Sequence, residues 1–322
     1  MTIKISGTGS ALPEKRLTNK ELEQMVDTSD AWIRERTGIQ ERHIAEGDSV
    51  VSLAAKACQR ALADAGRTAE EVDLILLATC SAEMLLPCSA AQVQGELGAV
   101  NAVAFDINAA CAGFLFALQT ARAYITGGMY QNALVIGAEV LSKIVDWEDR
   151  GTCVLFGDGA GAVFVEKSEE EDRGILSMVQ GSDGSRGGVL YCRTRPQETE
   201  DAFAGRDAFV HMNGGEVYKF AVRQVPDCIE NALKKAGLTV ADIDLFVLHQ
   251  ANVRIIEAIA KRLRAGMEHF PVNADRVGNT SSAAIPLLLD ELRKSGKIQV
   301  GQRLVLSGFG AGLTYGACVM RW

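Results

Sequence analysis

"ALADAGRTAEEVDLILLAT" at residues 61–79 and "ALKKAGLTVADIDLFVLHQ" at residues 232–250 are one pattern written twice. They align without a gap at an offset of 171 residues, with Ala, Leu, Ala, Gly, Thr, Asp, Leu and Leu matching in place. Each copy reads as an amphipathic helix closed by a glycine, whose missing Cβ suits a left-handed C-cap. A short turn and a strand-length run of Leu, Ile, Val and Phe follow. Strands alternating with helices imply right-handed crossovers and a mostly parallel sheet in each half. The chain is therefore expected to be an α/β protein made of two duplicated halves, residues 1–170 and 171–322, related by a pseudo-twofold axis.

The same offset sets Asn108 on Asn279 and Cys111 on Ser282, so "NAACAGFLFAL" (108–118) matches "NTSSAAIPLLL" (279–289). Further along, "ALVIGAE" (133–139) meets "RLVLSGF" (303–309) with a one-residue slip. In open α/β sheets, chemistry gathers beyond the strand ends and at helix N-termini. Three polar residues fall there: Cys111 and Asn279 at helix starts, and His249 at the end of "LFVLH".

Composition narrows the class. The chain has 322 residues, 48% hydrophobic and 23% charged, without low-complexity tracts, which suits a globular protein with a large core and excludes disorder. The opening "MTIKISGTGSALPEKRL" lacks a signal pattern, and no window approaches the roughly 18 apolar residues of a membrane span. A cytoplasmic protein is expected. A net charge of -8 argues against nucleic-acid binding, which needs a positive surface. Eight cysteines (58, 80, 88, 111, 153, 192, 228 and 318) show no CxxC pair or metal spacing, so reduced thiols, mostly core filler, and no metal are expected.

Taken alone, a buried cysteine fills space. At a helix N-terminus, free N–H groups and the macrodipole instead favour a thiolate, and Cys111 is expected to have a lowered pKa. His249 opens a polar turn after a strongly apolar strand, and its counterpart in the repeat is Ala78, so the scaffold itself does not require it. Asn279 fits a plain N-cap. Its amide can equally donate to a developing negative oxygen without competing as a base.

"TSDAWIRERTGI" (28–39), "DINAACAGF" (106–114), "DRGTCVLFGDGAGA" (149–162), "HQAN" (249–252) and "GNTSSA" (278–283), in this order, resemble the β-ketoacyl-acyl-carrier-protein synthase III group of the thiolase superfamily. The resemblance runs nearly end to end and implies a homodimer with an internally duplicated, five-layered αβαβα thiolase-like fold. It implies a Cys111–His249–Asn279 triad and no cofactor. Cys111 would take an acyl group from acyl-CoA. His249 and Asn279 would hold the enolate formed when malonyl-acyl-carrier protein loses carbon dioxide. The backbone N–H groups of Cys111 and Ala311 would form the oxyanion hole. Elongating relatives carry a second histidine at the Asn279 position, and thiolases a second cysteine in the loop that reads "GFGAGLTYGA" (308–317) here.

Trp32 and Arg36, four apart, share a helix face. The resemblance places Trp32 on the adenine of CoA opposite Arg150, with Thr28, Gly151 and Asn252 along the pantetheine channel. After "HQAN", Arg254, Lys261 and Arg262 recur at turn spacing and, joined by Lys219, suit docking of an acidic carrier protein. In "EMLLPCSA" (83–90), Leu86 occupies the acyl-pocket position where the family often has phenylalanine, and Arg264 stands where glycine is common. Three other readings compete: a starter synthase of a specialised pathway, a Cys-His thioesterase or acyltransferase, and a silent partner on the same fold. The second enolate donor opposes hydrolysis, and the presence of both Cys111 and His249 opposes the silent partner.

Overall fold

The computed structural model describes residues 2–170, 173–193 and 208–322; residue 171, where the second half was expected to begin, lies outside them. The strands of the two large sheets are, in chain order, β1 (Thr2–Ala11), β2 (Leu74–Ala78), β3 (Val103–Ile107), β4 (Asn132–Glu139), β5 (Gly159–Ser168), β6 (Gly174–Ser182), β7 (Leu245–Leu248), β8 (Arg303–Gly310) and β9 (Thr314–Arg321). The helices of eight or more residues are α1 (Asp30–Thr37), α2 (Val50–Ala65), α3 (Ser89–Leu97), α4 (Gly113–Thr126), α5 (Gly214–Ala236), α6 (Val253–Leu263) and α7 (Ala284–Lys294).

The two repeat segments fold alike. α2 and α5 end at Gly66 (φ 65°) and Gly237 (φ 69°). A 3₁₀ turn follows each, closed by a capping box between Thr68 and Glu71 in one half and Thr239 and Asp242 in the other. β2 and β7 then run into the interior.

One sheet has the order β1-β5-β4-β2-β3 and the other β6-β9-β8-β7. The sheets are mixed, which corrects the expectation of mostly parallel ones. β2 pairs parallel with β3 and β4, and β7 with β8, whereas β4–β5, β1–β5, β8–β9 and β6–β9 are antiparallel. β8 and β9 are joined only by residues 311–313, too short for a crossover, which takes a dozen residues or more. The one-residue slip is also absent. Ile75 pairs with Leu134 and Phe246 with Val305, so the offset of 171 persists through β4 and β8. Sequence similarity favoured Leu134 on Leu304; burial of both sheet faces forbids a slip that would turn every side chain over.

Alternation along β2 decides the layers. Leu74, Leu76 and Ala78 join α4, α7 and inward residues of the second sheet in a central core. Ile75 and Leu77 face α2 and α3 on one outer side. α5 and α6 cover the opposite face of the second sheet. The stack is thus helix, sheet, helix, sheet, helix. An excursion between β1 and α2 adds α1, held by a fully buried Arg42 that donates to Leu17 O (3.0 Å), Asn19 Oδ1 (2.9 Å) and Val154 O (2.7 Å). Gly38 ends α1 so close to α6 that a Cβ would lie 2.4 Å from Val253 Cγ2. Among the described residues, no helix is long and apolar enough to cross a membrane.

Candidate active site

Two matching elbows meet between the sheets. After β3, Asn108 Oδ1 accepts the Ala110 N–H (3.2 Å), Ala110 takes φ 46°, and a 3₁₀ turn over 110–112 carrying Cys111 leads into α4. In the other half, Asn279 Oδ1 accepts the Ser281 N–H (2.9 Å), Ser281 takes φ 49°, and a 3₁₀ turn over 281–283 leads into α7. Left-handed backbone at a non-glycine costs roughly 1–2 kcal/mol. Both halves keep this strain at equivalent positions, where it aims the elbow side chains. Asn279 is gripped on both sides, its N–H donating to Leu155 O (2.8 Å) and its carbonyl accepting from Gly157 N–H (3.0 Å). With Oδ1 spent on Ser281, the Nδ2 hydrogens are the side chain's remaining donors.

His249 follows β7, its N–H bonded to Ser307 O at 2.8 Å and its ring edge-on to Phe309. Burial lowers its pKa to about 3, so the imidazole is neutral near pH 7. Gly308 joins His249 to the first elbow: a Cβ there would lie 3.4 Å from His249 Cβ and 3.7 Å from Cys111 O. At Gly310 a Cβ would lie 2.6 Å from Cys111 N, so the loop bearing Ala311 presses on the Cys111 backbone.

The Cys111 thiol departs from the expected low pKa. Burial pushes it up to about 12, aided by the nearby Glu139 carboxylate and opposed by the Ser281 hydroxyl. Desolvation outweighs the favourable turn geometry, and the resting group is S–H.

Comparisons with known proteins fix the family. The model of 3-oxoacyl-[acyl-carrier-protein (ACP)] synthase III matches residues 105–184, and that of its C-terminal part matches residues 233–322. The β-ketoacyl-[acyl-carrier-protein] synthase III of Clostridium acetobutylicum is 47% identical over 325 residues, covering 100% of this chain and 99% of the relative. That of Symbiobacterium thermophilum is 50% identical over 322 residues, covering 99% and 97%. The crystal structure of 3-oxoacyl-[acyl-carrier-protein] synthase III from Aquifex aeolicus superposes with a TM-score of 0.94 at 44% identity, covering 99% of this chain and 100% of that one. The chain belongs to the β-ketoacyl-[acyl-carrier-protein] synthase III family.

Other residues assigned through the synthase III resemblance are placed unevenly. Trp32 on α1 is bracketed by two guanidinium groups, Arg36 at 5.8 Å and Arg150 at 5.4 Å from the ring centre. Thr28 Oγ1 is buried without a hydrogen-bond partner among the described residues. Gly151 is exposed and its N–H donates to Asp149 Oδ1. Asn252 caps α6, accepting from Arg254 N–H (2.8 Å), and ties α6 to α1 through Arg36 O (3.0 Å). Of the basic set, Arg254 and Lys261 lie seven apart along one exposed stripe of α6. Arg262 pairs with Asp227 of α5 (2.6 Å), and Lys219 with Glu216 (2.8 Å). Leu86, assigned to the acyl pocket through the resemblance, is 87% exposed on this chain.

Sequence reading missed Glu139. This fully buried carboxylate accepts hydrogen bonds from Thr79 Oγ1, Cys80 N–H, Ser81 Oγ and Ser282 Oγ. Its signal was available: a lone acid closes the otherwise apolar "ALVIGAE". Cys80 is half-buried beside Glu139.

Proposed function

We infer that the protein is a 3-oxoacyl-[acyl-carrier-protein] synthase III, which condenses a short acyl-CoA primer with malonyl-acyl-carrier protein to start fatty-acid synthesis. The observation that carries the residue roles is the convergence of Cys111, a neutral His249 and a doubly gripped Asn279 where the halves meet. Cys111 Sγ attacks the acyl-CoA thioester, the tetrahedral oxyanion rests on the N–H groups of Cys111 and Ala311, and CoA leaves. Malonyl-carrier then enters and loses carbon dioxide. A neutral imidazole and the Asn279 amide donate to the thioester oxygen as it becomes an enolate. The enolate carbon attacks the acyl-cysteine, Cys111 is expelled, and 3-oxoacyl-carrier is released.

The CoA adenine enters the Trp32 sandwich. Arg150 lies over the ring and donates to Asp27 O (2.9 Å), so it swings out to admit the base and then closes on it. Arg36 meets the phosphates, and Thr28 Oγ1, Gly151 and Asn252 border the pantetheine path. Arg254 and Lys261 receive the acidic carrier. The chain acts in the cytoplasm as a homodimer: β3 is an outer strand with an edge unpaired among the described residues, and its first residue Val103 and nearby Val100 are 47% and 74% exposed. Leu86, exposed on one subunit, can bound an acyl chain only across such a contact. The reaction needs no metal or redox cofactor.

Intact-protein mass spectrometry tests this reading. Acetyl-CoA is expected to add one acetyl group at Cys111, which malonyl-carrier discharges as 3-oxoacyl-carrier; Cys111→Ser is expected to show neither. An adduct lost equally fast to water alone would make the protein a thioesterase.

A further inference from the structure

Cys111 starts as a thiol, so its proton must leave as the carbon–sulfur bond forms. His249 is a poor destination, because burial disfavours its cation. A chain of polar groups leads the other way. The Ser281 hydroxyl favours the thiolate of Cys111 and lies 4.0 Å from Cys80 Sγ; Cys80 Sγ lies 3.5 Å from both carboxylate oxygens of Glu139. Glu139 is 0% exposed and forms no salt bridge among the described residues. Burial also raises its proton affinity above that of an ordinary carboxylate.

We propose that Glu139 stores the Cys111 proton across the two half-reactions, reached through Ser281 and Cys80. The inference rests on the synthase reading. During acylation, Cys111 Sγ bonds to the acyl carbon and its proton passes to Ser281. Ser281 passes its own hydroxyl proton to Cys80, and Cys80 passes its thiol proton to Glu139. The acyl–sulfur bond to CoA breaks, and the CoA thiolate takes a proton from solvent. During condensation the enolate carbon bonds to the acyl carbon, Cys111 leaves as thiolate, and the same chain returns the stored proton. One solvent proton is consumed per cycle, as the conversion of a malonyl carboxylate to carbon dioxide requires. Glu139 and Cys80 are positioning residues here, since neither touches substrate.

The test is the rate of Cys111 alkylation by iodoacetamide against pH, assigned at peptide level, together with acetylation by acetyl-CoA. Cys80→Ala is expected to slow both at least about tenfold near neutrality, within the range for positioned proton transfer, and to approach wild type at alkaline pH. Cys80→Ser, which keeps a donor and an acceptor, is expected to restore most of the rate. Glu139→Gln gives opposite signs: the relay predicts slower alkylation, whereas mere removal of a repelling charge predicts faster. An unchanged Cys80→Ala rate, or acceleration in Glu139→Gln, would overturn the proposal. Should Glu139→Gln not fold, the Cys80 pair decides. Iodoacetamide needs no acyl donor, so failure of acetyl-CoA to label even the wild type would count against the synthase reading and leave the relay result standing.

Discussion

At the first elbow, Cys111 faces Gly310, which leaves the Cys111 N–H open to the glycine loop; at the second, Ser282 faces Glu139, the counterpart of Gly310 at the repeat offset. Backbone strain, Asx turn and following helix are common to both. Their surroundings differ. His249 stands where the other half has fully buried Ala78, and Glu139 plugs the place that glycine keeps open. The two halves thus carry matching elbows, one presenting Cys111 and the other Asn279 and Ser281.

The glycine pair gives the sharpest way to break this comparison. A Cβ on Gly137 would fall 2.2 Å from Ser282 O, whereas on its counterpart Gly308 the nearest atoms are 3.4 Å away. Gly137→Ala is expected to lose more than about 2 kcal/mol of stability by overpacking against backbone. Gly308→Ala should stay within about 1 kcal/mol of wild type while its activity falls, because the added methyl approaches His249 and Cys111. Urea unfolding beside a condensation assay separates the two, and equal stability losses would mean that the elbows are packed alike.

Replacing His249 probes the second difference through pH. Its folded pKa of about 3 lies below the reference value of 6.5, so the unfolded chain binds more protons between these values. Stability is full above about pH 6.5 and erodes as pH falls towards 3. His249→Gln should flatten part of that acid slope, read as urea midpoints from pH 7 to 4.5; carboxylates titrate in both proteins and cancel in the difference. Parallel slopes would show that His249 does not change protonation on unfolding.

A smaller effect is expected at a helix end. α3 stops at Gly98 (φ 68°), while α6 stops at Arg264, held at φ 56°. Arg264→Gly should relieve that backbone and raise stability by about 0.5–1 kcal/mol. A loss in thermal or urea melts would show that the arginine side chain makes up for its conformation.

The duplicated helix–turn–strand units were readable because Gly66, Gly237 and the paired threonine caps are local signals, and strand burial on both faces follows from unbroken apolar runs. The expectation of mostly parallel sheets failed because connection length, not strand composition, sets direction: three residues between β8 and β9 force a hairpin. The triad stood out as polar residues in apolar settings. Glu139 carried the same mark but hid its partners, which come from 58 to 60 residues earlier and 143 residues later in the chain. Arg262 looked free because spacing along α6 says nothing of Asp227 on its neighbour, whereas the Glu216 that pairs with Lys219 lies three residues earlier on the same helix. Cys111's thiol state was likewise out of reach, since a helix start is local and desolvation depends on the whole fold.

The central claim is that one elbow acylates while the other half decarboxylates. The most direct measurement is both half-reactions of His249→Ala: acetyl transfer to Cys111 by intact mass, and labelled carbon dioxide release from malonyl-carrier. Acetylation is predicted to stay within about tenfold of wild type while carbon dioxide release falls on the order of a hundredfold or more, the size of a lost oxyanion donor. Normal carbon dioxide release from His249→Ala would contradict the account.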